Sequence, residues 1–302
     1  MRLLSFIRPD GRASVGRLDE GGCVVDLSSL CAHAPAGGAL RSLLAVLDGA
    51  PVTTTTHRRA EVFDLAEVTL QPVVPDPPKI IAAPVNYRDH QVEMNEAYHI
   101  DALGVFLKAP SSVLAHQGTI RLPYTDRRFD QEGELALVIG RPGRHIPVEH
   151  ALNHVAGYTC LLDITMRGGE DRSTRKSFDT FTPIGPYLVT PDEVGPLEKL
   201  SLRTWVGGEL RQDADIKDLI WNVPRLIAYA SSVMTLNVGD IITSGTPAGV
   251  GTLTDGERVI VDIDRVGRLE TTVTTAGAIN CPTTGHSRGP VPPPTITTAR
   301  TR

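Results

Sequence analysis

The chain reads as an α+β, β-rich fold in which a larger domain of short strands follows a small N-terminal unit. Three observations predict this. Short apolar runs recur from Lys79 onward, separated by glycine- and proline-rich turns. Helical patterns are fewer than the strands and do not alternate with them, which argues against a doubly wound sheet or a barrel of strand–helix repeats. The stretch Gln71-Pro72-Val73-Val74-Pro75-Asp76-Pro77-Pro78 is a stiff connector that divides the chain. A length of 302 residues accommodates one large and one small domain.

Within the N-terminal unit, Leu3 to Ile7 and Cys23 to Leu27 are predicted strands. Pro9-Asp10-Gly11 follows the first as a turn, and Glu20-Gly21-Gly22 precedes the second. Ala39 to Leu47 has the spacing of a short amphipathic helix. Beyond the connector, strands are predicted at Ile80 to Ala83, Ala136 to Ile139, Tyr158 to Ile164, Tyr187 to Thr190, Ile241 to Ser244 and Val259 to Ile263. Helices are predicted at Asp89 to Tyr98, Glu149 to His154 and Val223 to Leu236. The final stretch from Thr283 is rich in Thr, Pro and Arg without apolar period, and reads as a disordered or loosely attached tail.

Composition narrows the function. Hydrophobic content of 41% and charged content of 22% are those of a soluble globular protein. A net charge of −5 without a basic block argues against nucleic acid as the main partner. No apolar run approaches the length needed to span a bilayer, and the first residues are too short and too charged for a signal peptide, so a cytoplasmic enzyme or binding protein is expected. The four cysteines, Cys23, Cys31, Cys160 and Cys281, form no Cys-x-x-Cys pair, which argues against a thiolate zinc site and a disulfide framework.

The chemistry concentrates in a few segments. Glu132 and Glu134 flank Gly133 at the start of a predicted buried strand, so both side chains share one face. Two carboxylates held so close repel, and a hard divalent cation relieves the repulsion. Spacing alone leaves open an exposed strand end with two solvated acids. Asp163, inside the apolar run Tyr158 to Ile164, is costly unless paired, metal-bound or capping a turn. With the two glutamates it would form a three-carboxylate site suited to Mg²⁺, Mn²⁺ or Ca²⁺ rather than zinc. His90 and Glu93 are i and i+3 on a predicted helix, which admits a water-activating dyad or an ordinary surface pair. Lys176 is either an oxyanion-stabilising group or a solvated loop lysine. The glycine-rich turn Thr243 to Gly251 offers backbone amides and the Thr246 hydroxyl to an anion such as a carboxylate. It lacks the Gly-Lys-Ser/Thr ending of a P-loop, and no Gly-x-Ser-x-Gly elbow occurs.

Taken in order, Asn86-Tyr87-Arg88-Asp89-His90 with Glu93, Phe106-Leu107-Lys108-Ala109-Pro110-Ser111-Ser112, Glu132-Gly133-Glu134-Leu135, Ala156 through Asp163, Lys176-Ser177-Phe178-Asp179 and Met234 through Gly251 resemble the fumarylacetoacetate hydrolase family over residues 79 to 275. The resemblance implies a mixed β-sandwich roll behind a small N-terminal domain, usually dimeric. This agrees with the boundary that the proline-rich stretch marks, and the organisation expected is an N-terminal α/β domain at 1–70, a linker at 71–78, a catalytic domain at 79–280 and, from composition, a disordered tail at 281–302. The resemblance also implies Glu132, Glu134 and Asp163 as ligands of Mg²⁺ (with Mn²⁺ or Ca²⁺ as alternatives), His90 and Glu93 as a dyad of the acylpyruvase-like branch, and Lys176 as the oxyanion-stabilising lysine. Arg167, Thr246, Lys108 and Tyr87 become substrate-contact positions. The implied activity is metal-dependent cleavage of a C–C bond in an acylpyruvate-like or other β-dicarbonyl 2-oxo acid. Decarboxylation or isomerisation at the same site is the alternative, and a non-catalytic binding protein is the last. The sequence departs from the common pattern after Arg167. Gly168 and Glu170 stand where relatives have Asp and Gln, and Glu170 is expected to disfavour a strongly anionic substrate group there.

Overall fold

The computed structural model describes residues 1–31, 38–47, 60–285, 289 and 292. Among these, the largest sheet has twelve strands. Its main path runs Val62–Asp64, Cys23–Asp26, Ala13–Leu18, Arg2–Ile7, Thr182–Val189, Val155–Leu162, Gly133–Ile139, Ile241–Thr243, Ile80–Ala82 and Phe106–Lys108. A five-stranded sheet (Glu209–Asp215, Ser201–Val206, Arg258–Ile263, Gly267–Thr274, Thr119–Arg121) and a three-stranded one (Thr165–Met166, Phe129–Gln131, Gly251–Thr252) complete an α+β fold with no closed barrel.

The central strand Gly133–Ile139 shows why its sequence is continuously apolar. Leu135, Leu137 and Ile139 pack into one hydrophobic cluster, and Ala136 and Val138 into another. A strand covered on both faces has no solvated side to mark with polar residues. Each fully buried aliphatic side chain contributes about 1.5–3 kcal/mol, so the strand is a rigid support for whatever stands at its N-terminal end. Its neighbour Val155–Leu162 is built the same way, with Tyr158, Cys160 and Leu162 on one side and Leu161 on the other.

The N-terminal strands are not a separate sheet. Arg2–Ile7 pairs antiparallel with Thr182–Val189 through Arg2↔Val189 and Leu3↔Leu188. The helix Ala39–Leu47 has the bounds that its periodicity predicts and buries Leu40, Leu43 and Leu44. Two other helices are shorter than predicted. Arg88–Glu93 stops because Asn95 adopts a left-handed φ of 50°. Val223–Val233, capped by the Asn222 side chain, stops because Met234 is extended and Leu236 forms a bridge with Gly143. The predicted helix at Glu149 to His154 is a 3₁₀ segment, Val148–His154, after Pro147. Most of the expected tail, 286–288, 290–291 and 293–302, lies outside the described residues. Its first residues are attached. The Cys281 amide donates to Asp126 at 2.8 Å, and the Thr283 carbonyl and hydroxyl accept from Arg127 at 2.7 Å.

Candidate active site and metal centre

The register of the two central strands, Gly133↔Leu162 and Glu134↔Leu161, carries on to set Asp163 opposite Glu132, and the Asp163 amide donates to the Glu132 carbonyl at 2.8 Å. Period-two alternation puts Glu132 and Glu134 on one face. The result is a buried three-carboxylate cluster in which one oxygen from each of Glu132, Glu134 and Asp163 lies within 4.8 Å of the others. The opposite face explains the intervening glycine. A Cβ on Gly133 would stand 2.2 Å from Thr204 Oγ1 and 3.1 Å from Gln212 Oε1, so any side chain there would push the strand off the second sheet.

Cations surround the cluster. Lys176 Nζ donates to Glu132 Oε2 at 2.6 Å, Asp163 Oδ2 at 2.7 Å and Thr165 Oγ1 at 2.6 Å. Arg167 bridges Asp130 at 2.7 Å and Glu132 at 3.0 Å. Lys108 is fully buried and donates to Asp163 Oδ1 and, at 2.9 Å, to the Phe181 carbonyl. Burial drives the Lys108 ammonium below its usual range, with Asp163 opposing. Burial also works against ionisation of Glu132, but Lys176, Arg167 and His90 outweigh it and hold that carboxyl far below the usual range. Glu134 behaves in the opposite way. Burial, Asp163 and Glu132 push it well above the ordinary glutamate value. A buried acid that cannot comfortably ionise beside two others is a site short of positive charge. All the donors are hard oxygens, so the three carboxylates fit a divalent cation such as Mg²⁺ or Mn²⁺.

The dyad and the glycine-rich loop meet at this cluster. His90 Nδ1 and Glu93 Oε2 are 2.9 Å apart, and the Gly249 amide donates to the other Glu93 oxygen at 2.8 Å. The Gly245 amide donates to Glu134 at 2.9 Å. The loop therefore does bind carboxylates, but they are the protein's own. The Thr246 hydroxyl donates to the Gly133 carbonyl at 2.9 Å and accepts from Gln212 at 2.7 Å, so it braces the loop while lining the cleft. Asn86 ties the helix entry to the rest, donating to the Trp221 and Ser244 carbonyls at 2.9 and 2.7 Å.

The cleft brings together His90, Glu132, Glu134, Arg167, Lys176 and Thr246, with Val85, Met94, Glu96 and Phe106 on its walls. Its empty space is about 410 Å³, mouth included. Two residues expected to touch substrate sit elsewhere. Lys108 stands behind Asp163, and Tyr87 belongs to the hydrophobic core, its hydroxyl buried without a partner among the described residues. Sequence reasoning missed Asp130, Asn86, Arg172 and Arg175, the last two of which line the cleft. It also misjudged Glu170. That carboxylate accepts from Arg127 at 2.9 Å and from Thr283, away from the cleft, so the wall after Arg167 is cationic rather than anionic.

Residues 79–274 match the family model for the fumarylacetoacetate hydrolase C-terminal domain. A maleylpyruvate hydrolase of Aquipseudomonas alcaligenes is 44% identical over 216 residues, 68% of this chain and 75% of that protein. The oxaloacetate tautomerase YisK of Bacillus subtilis is 40% identical over 222 residues, 69% of this chain and 74% of that one. The crystal structure of a maleylpyruvate hydrolase from Sphingobium sp. SYK-6, in complex with manganese(II) and pyruvate, superposes with a TM-score of 0.78 at 36% identity and covers 91% of this chain and 99% of its own.

Proposed function

The chain belongs to the fumarylacetoacetate hydrolase family, and from that premise we propose that it is a divalent-metal-dependent hydrolase cleaving a carbon–carbon bond in a β-dicarbonyl 2-oxo acid of the acylpyruvate type. The observation that carries the reading is the buried Glu132, Glu134 and Asp163 cluster, two of whose acids, Glu132 and Glu134, line one cleft with the His90 of the His90–Glu93 pair. A cation held by those three carboxylates supplies Lewis acidity to the 2-oxo acid end of the substrate. Residues 79–280 carry this chemistry, with 1–70 as an appended unit and 71–78 as the linker. A cytoplasmic homodimer acting on a small-molecule oxo acid belongs to the same reading.

The chain's own residues account for the remaining steps. The Glu93 carboxylate accepts a hydrogen bond from the Nδ1–H of His90, which fixes the tautomer and leaves Nε2 as the basic nitrogen. His90 Nε2 takes a proton from water, and the resulting hydroxide adds to the carbonyl remote from the carboxylate. The bond between that carbonyl carbon and the adjacent methylene breaks. Its electron pair passes onto the 2-oxo oxygen as an enolate, stabilised by the Lys176 ammonium. Protonation at carbon gives pyruvate beside the second acid.

A second reading is tautomerisation or decarboxylation of oxaloacetate-type acids, favoured by the likeness to YisK. It uses the same enolate and requires no activated water. Incubation with diketo acids and with oxaloacetate in Mg²⁺ or Mn²⁺ separates the two. Pyruvate plus a second acid supports hydrolysis. CO₂ release, or enol–keto exchange without cleavage, supports the alternative. Unchanged activity and metal binding in Glu132→Ala or Glu134→Ala would sink both.

A further inference from the structure

Arg127 lies outside the cleft, and its donors are unevenly used. The residue is 8% exposed. Its Nη2 faces Glu170 Oε1 at 2.9 Å, the Thr283 carbonyl and hydroxyl at 2.7 Å each, and Cys281 Sγ at 3.3 Å. Nε and Nη1 are buried and have no hydrogen-bond partner among the described residues. A buried donor left idle costs free energy, and it marks a place where a further acceptor would be welcome.

Cys281 is the thiol beside this guanidinium. It is half-buried, its amide donates to Asp126 at 2.8 Å, and its sulfur lies 3.3 Å from the Thr283 hydroxyl. Burial works to raise the thiol pKa, but the Thr283 contacts and Arg127 outweigh it and hold it below the usual cysteine range. Cys160 and Cys31 go the other way, driven up by burial. The thiolate is the nucleophile, so an electrophile meets a more reactive sulfur at Cys281 than at those two.

The same contacts tie the C-terminal segment to the cleft wall. The Thr283 hydroxyl donates to Glu170, and the Gly285 carbonyl accepts from the Gly169 amide at 3.0 Å. Gly169 and Glu170 open the loop that carries Arg172, Arg175 and Lys176 into the cleft.

We propose that Cys281 is a site of oxidation by hydroperoxides, and that its oxidised form releases the 281–285 segment from Glu170 and so loosens the loop 168–176. The Cys281 thiolate attacks one peroxide oxygen. An S–O bond forms from a sulfur lone pair, the O–O bond breaks, and its electron pair leaves on the other oxygen, which takes a proton from solvent. Sulfur is oxidised, the peroxide is reduced, and the product is a sulfenic acid. As a sulfenate, the new oxygen is a charged acceptor beside Arg127. It competes with Glu170 and Thr283 for Nη2 and draws on the idle hydrogens of Nε and Nη1. Glu170 then loses the cation that holds it at the foot of the cleft wall.

Two measurements on the full chain test this, and neither depends on catalytic activity. In the first, limiting hydrogen peroxide is added with dimedone as a trap, and peptide mass spectrometry reads the sulfenic acid at each cysteine. Cys281 is expected to be labelled about tenfold or more above Cys31 and Cys160, and Arg127→Gln to bring it within about threefold of them. In the second, hydrogen exchange is followed after peroxide treatment without the trap. Amides of residues 168–176 should exchange about tenfold faster, as for a segment that has lost a charge-assisted tether. Cys281→Ser given the same treatment should show no change. Labelling of Cys281 no greater than that of Cys31 and Cys160 overturns the proposal. So does labelling of Cys281 without faster exchange in that loop, or faster exchange that persists in Cys281→Ser. If Arg127→Gln fails to fold, as circular dichroism would show, Thr283→Val decides. It removes only a hydroxyl from an exposed position and should lower Cys281 labelling about threefold, whereas undiminished labelling in that variant overturns the role given to this cluster.

Discussion

His90 Nδ1 and Glu93 Oε2 stand 2.9 Å apart on one short helix, and the remaining Glu93 oxygen is held by the Gly249 amide. The helix alone would allow Glu93 to swing into solvent, as i,i+3 pairs usually can. The amide from a loop 156 residues away prevents this. The pair is therefore a fixed imidazole–carboxylate unit rather than a transient surface contact. His90→Ala is expected to lower hydrolytic turnover by about 10² or more, the scale of a lost general base. Glu93→Gln, which keeps the shape but not the charge, should lower it less. Steady-state kinetics on an acylpyruvate checks both, and wild-type turnover in His90→Ala would point to a reaction without activated water.

Lys176 is expected to separate metal binding from turnover. Its ammonium contacts two of the three carboxylates proposed to hold the metal, so in that reading it competes with a cation for their charge while serving the developing oxyanion. Lys176→Met should bind Mn²⁺ at least as tightly as wild type yet turn over about 10²-fold more slowly, the usual cost of removing an oxyanion partner. Manganese titration by electron paramagnetic resonance, run beside the kinetics, measures the two effects independently. A large loss of metal affinity would instead make Lys176 a scaffold of the cluster.

How much of this was legible in the sequence follows the range of each interaction. The shared face of Glu132 and Glu134 is fixed by two residues of strand geometry, and Asp163 betrays itself as an acid in an apolar run. Helix ends were overrun because what stops them is tertiary or conformational, namely the Leu236 bridge to Gly143 and the left-handed Asn95. Glu170 was misread because its partners, Arg127 and Thr283, lie 43 and 113 residues away. The same limit hid Arg175, whose place on the cleft wall is a property of the folded chain alone. The glycine-rich loop was read as holding an anionic group with its amides and the Thr246 hydroxyl; nothing local says that the amides take Glu93 and Glu134 or that the hydroxyl is spent on the Gly133 carbonyl.

Metal binding is expected to be linked to protons through Glu134. Its pKa in the metal-free protein is raised by burial, Asp163 and Glu132. The folded metal-free protein therefore binds more protons than the unfolded chain above the ordinary glutamate pKa. The stability this group contributes is complete below that value and is lost as pH rises through the folded pKa. Glu132, shifted downward, acts only below the ordinary glutamate pKa and leaves that window untouched. Mn²⁺ replaces the proton on Glu134, so the thermal stabilisation it gives should be larger at about pH 8 than at about pH 5.5. Calorimetric heats should depend on the buffer as the proton is released. Equal stabilisation at both values with no proton release would contradict the assignment.

Gly245 links backbone conformation to the proposed metal site, through Glu134. Its φ is +86°, a left-handed value that disfavours any other residue, and a Cβ there would meet Asn86 Cβ at 2.8 Å. Asn86 cannot yield, because its side chain is bound to Trp221 and to the Ser244 carbonyl. Gly245→Ala must therefore shift the loop, and the loop carries the amide that holds Glu134. The expected cost is about 1–3 kcal/mol of stability from strain at a special backbone position, together with weaker Mn²⁺ binding. Substitution at Gly256 supplies the control. It has a similar φ of +78° with nothing within 4 Å of a Cβ, so Gly256→Ala should lose stability by backbone strain but leave metal affinity unchanged. Chemical denaturation and manganese titration of the two variants separate strain from displacement of Glu134. If both bind Mn²⁺ like wild type, the Gly245 amide is not needed to position that carboxylate.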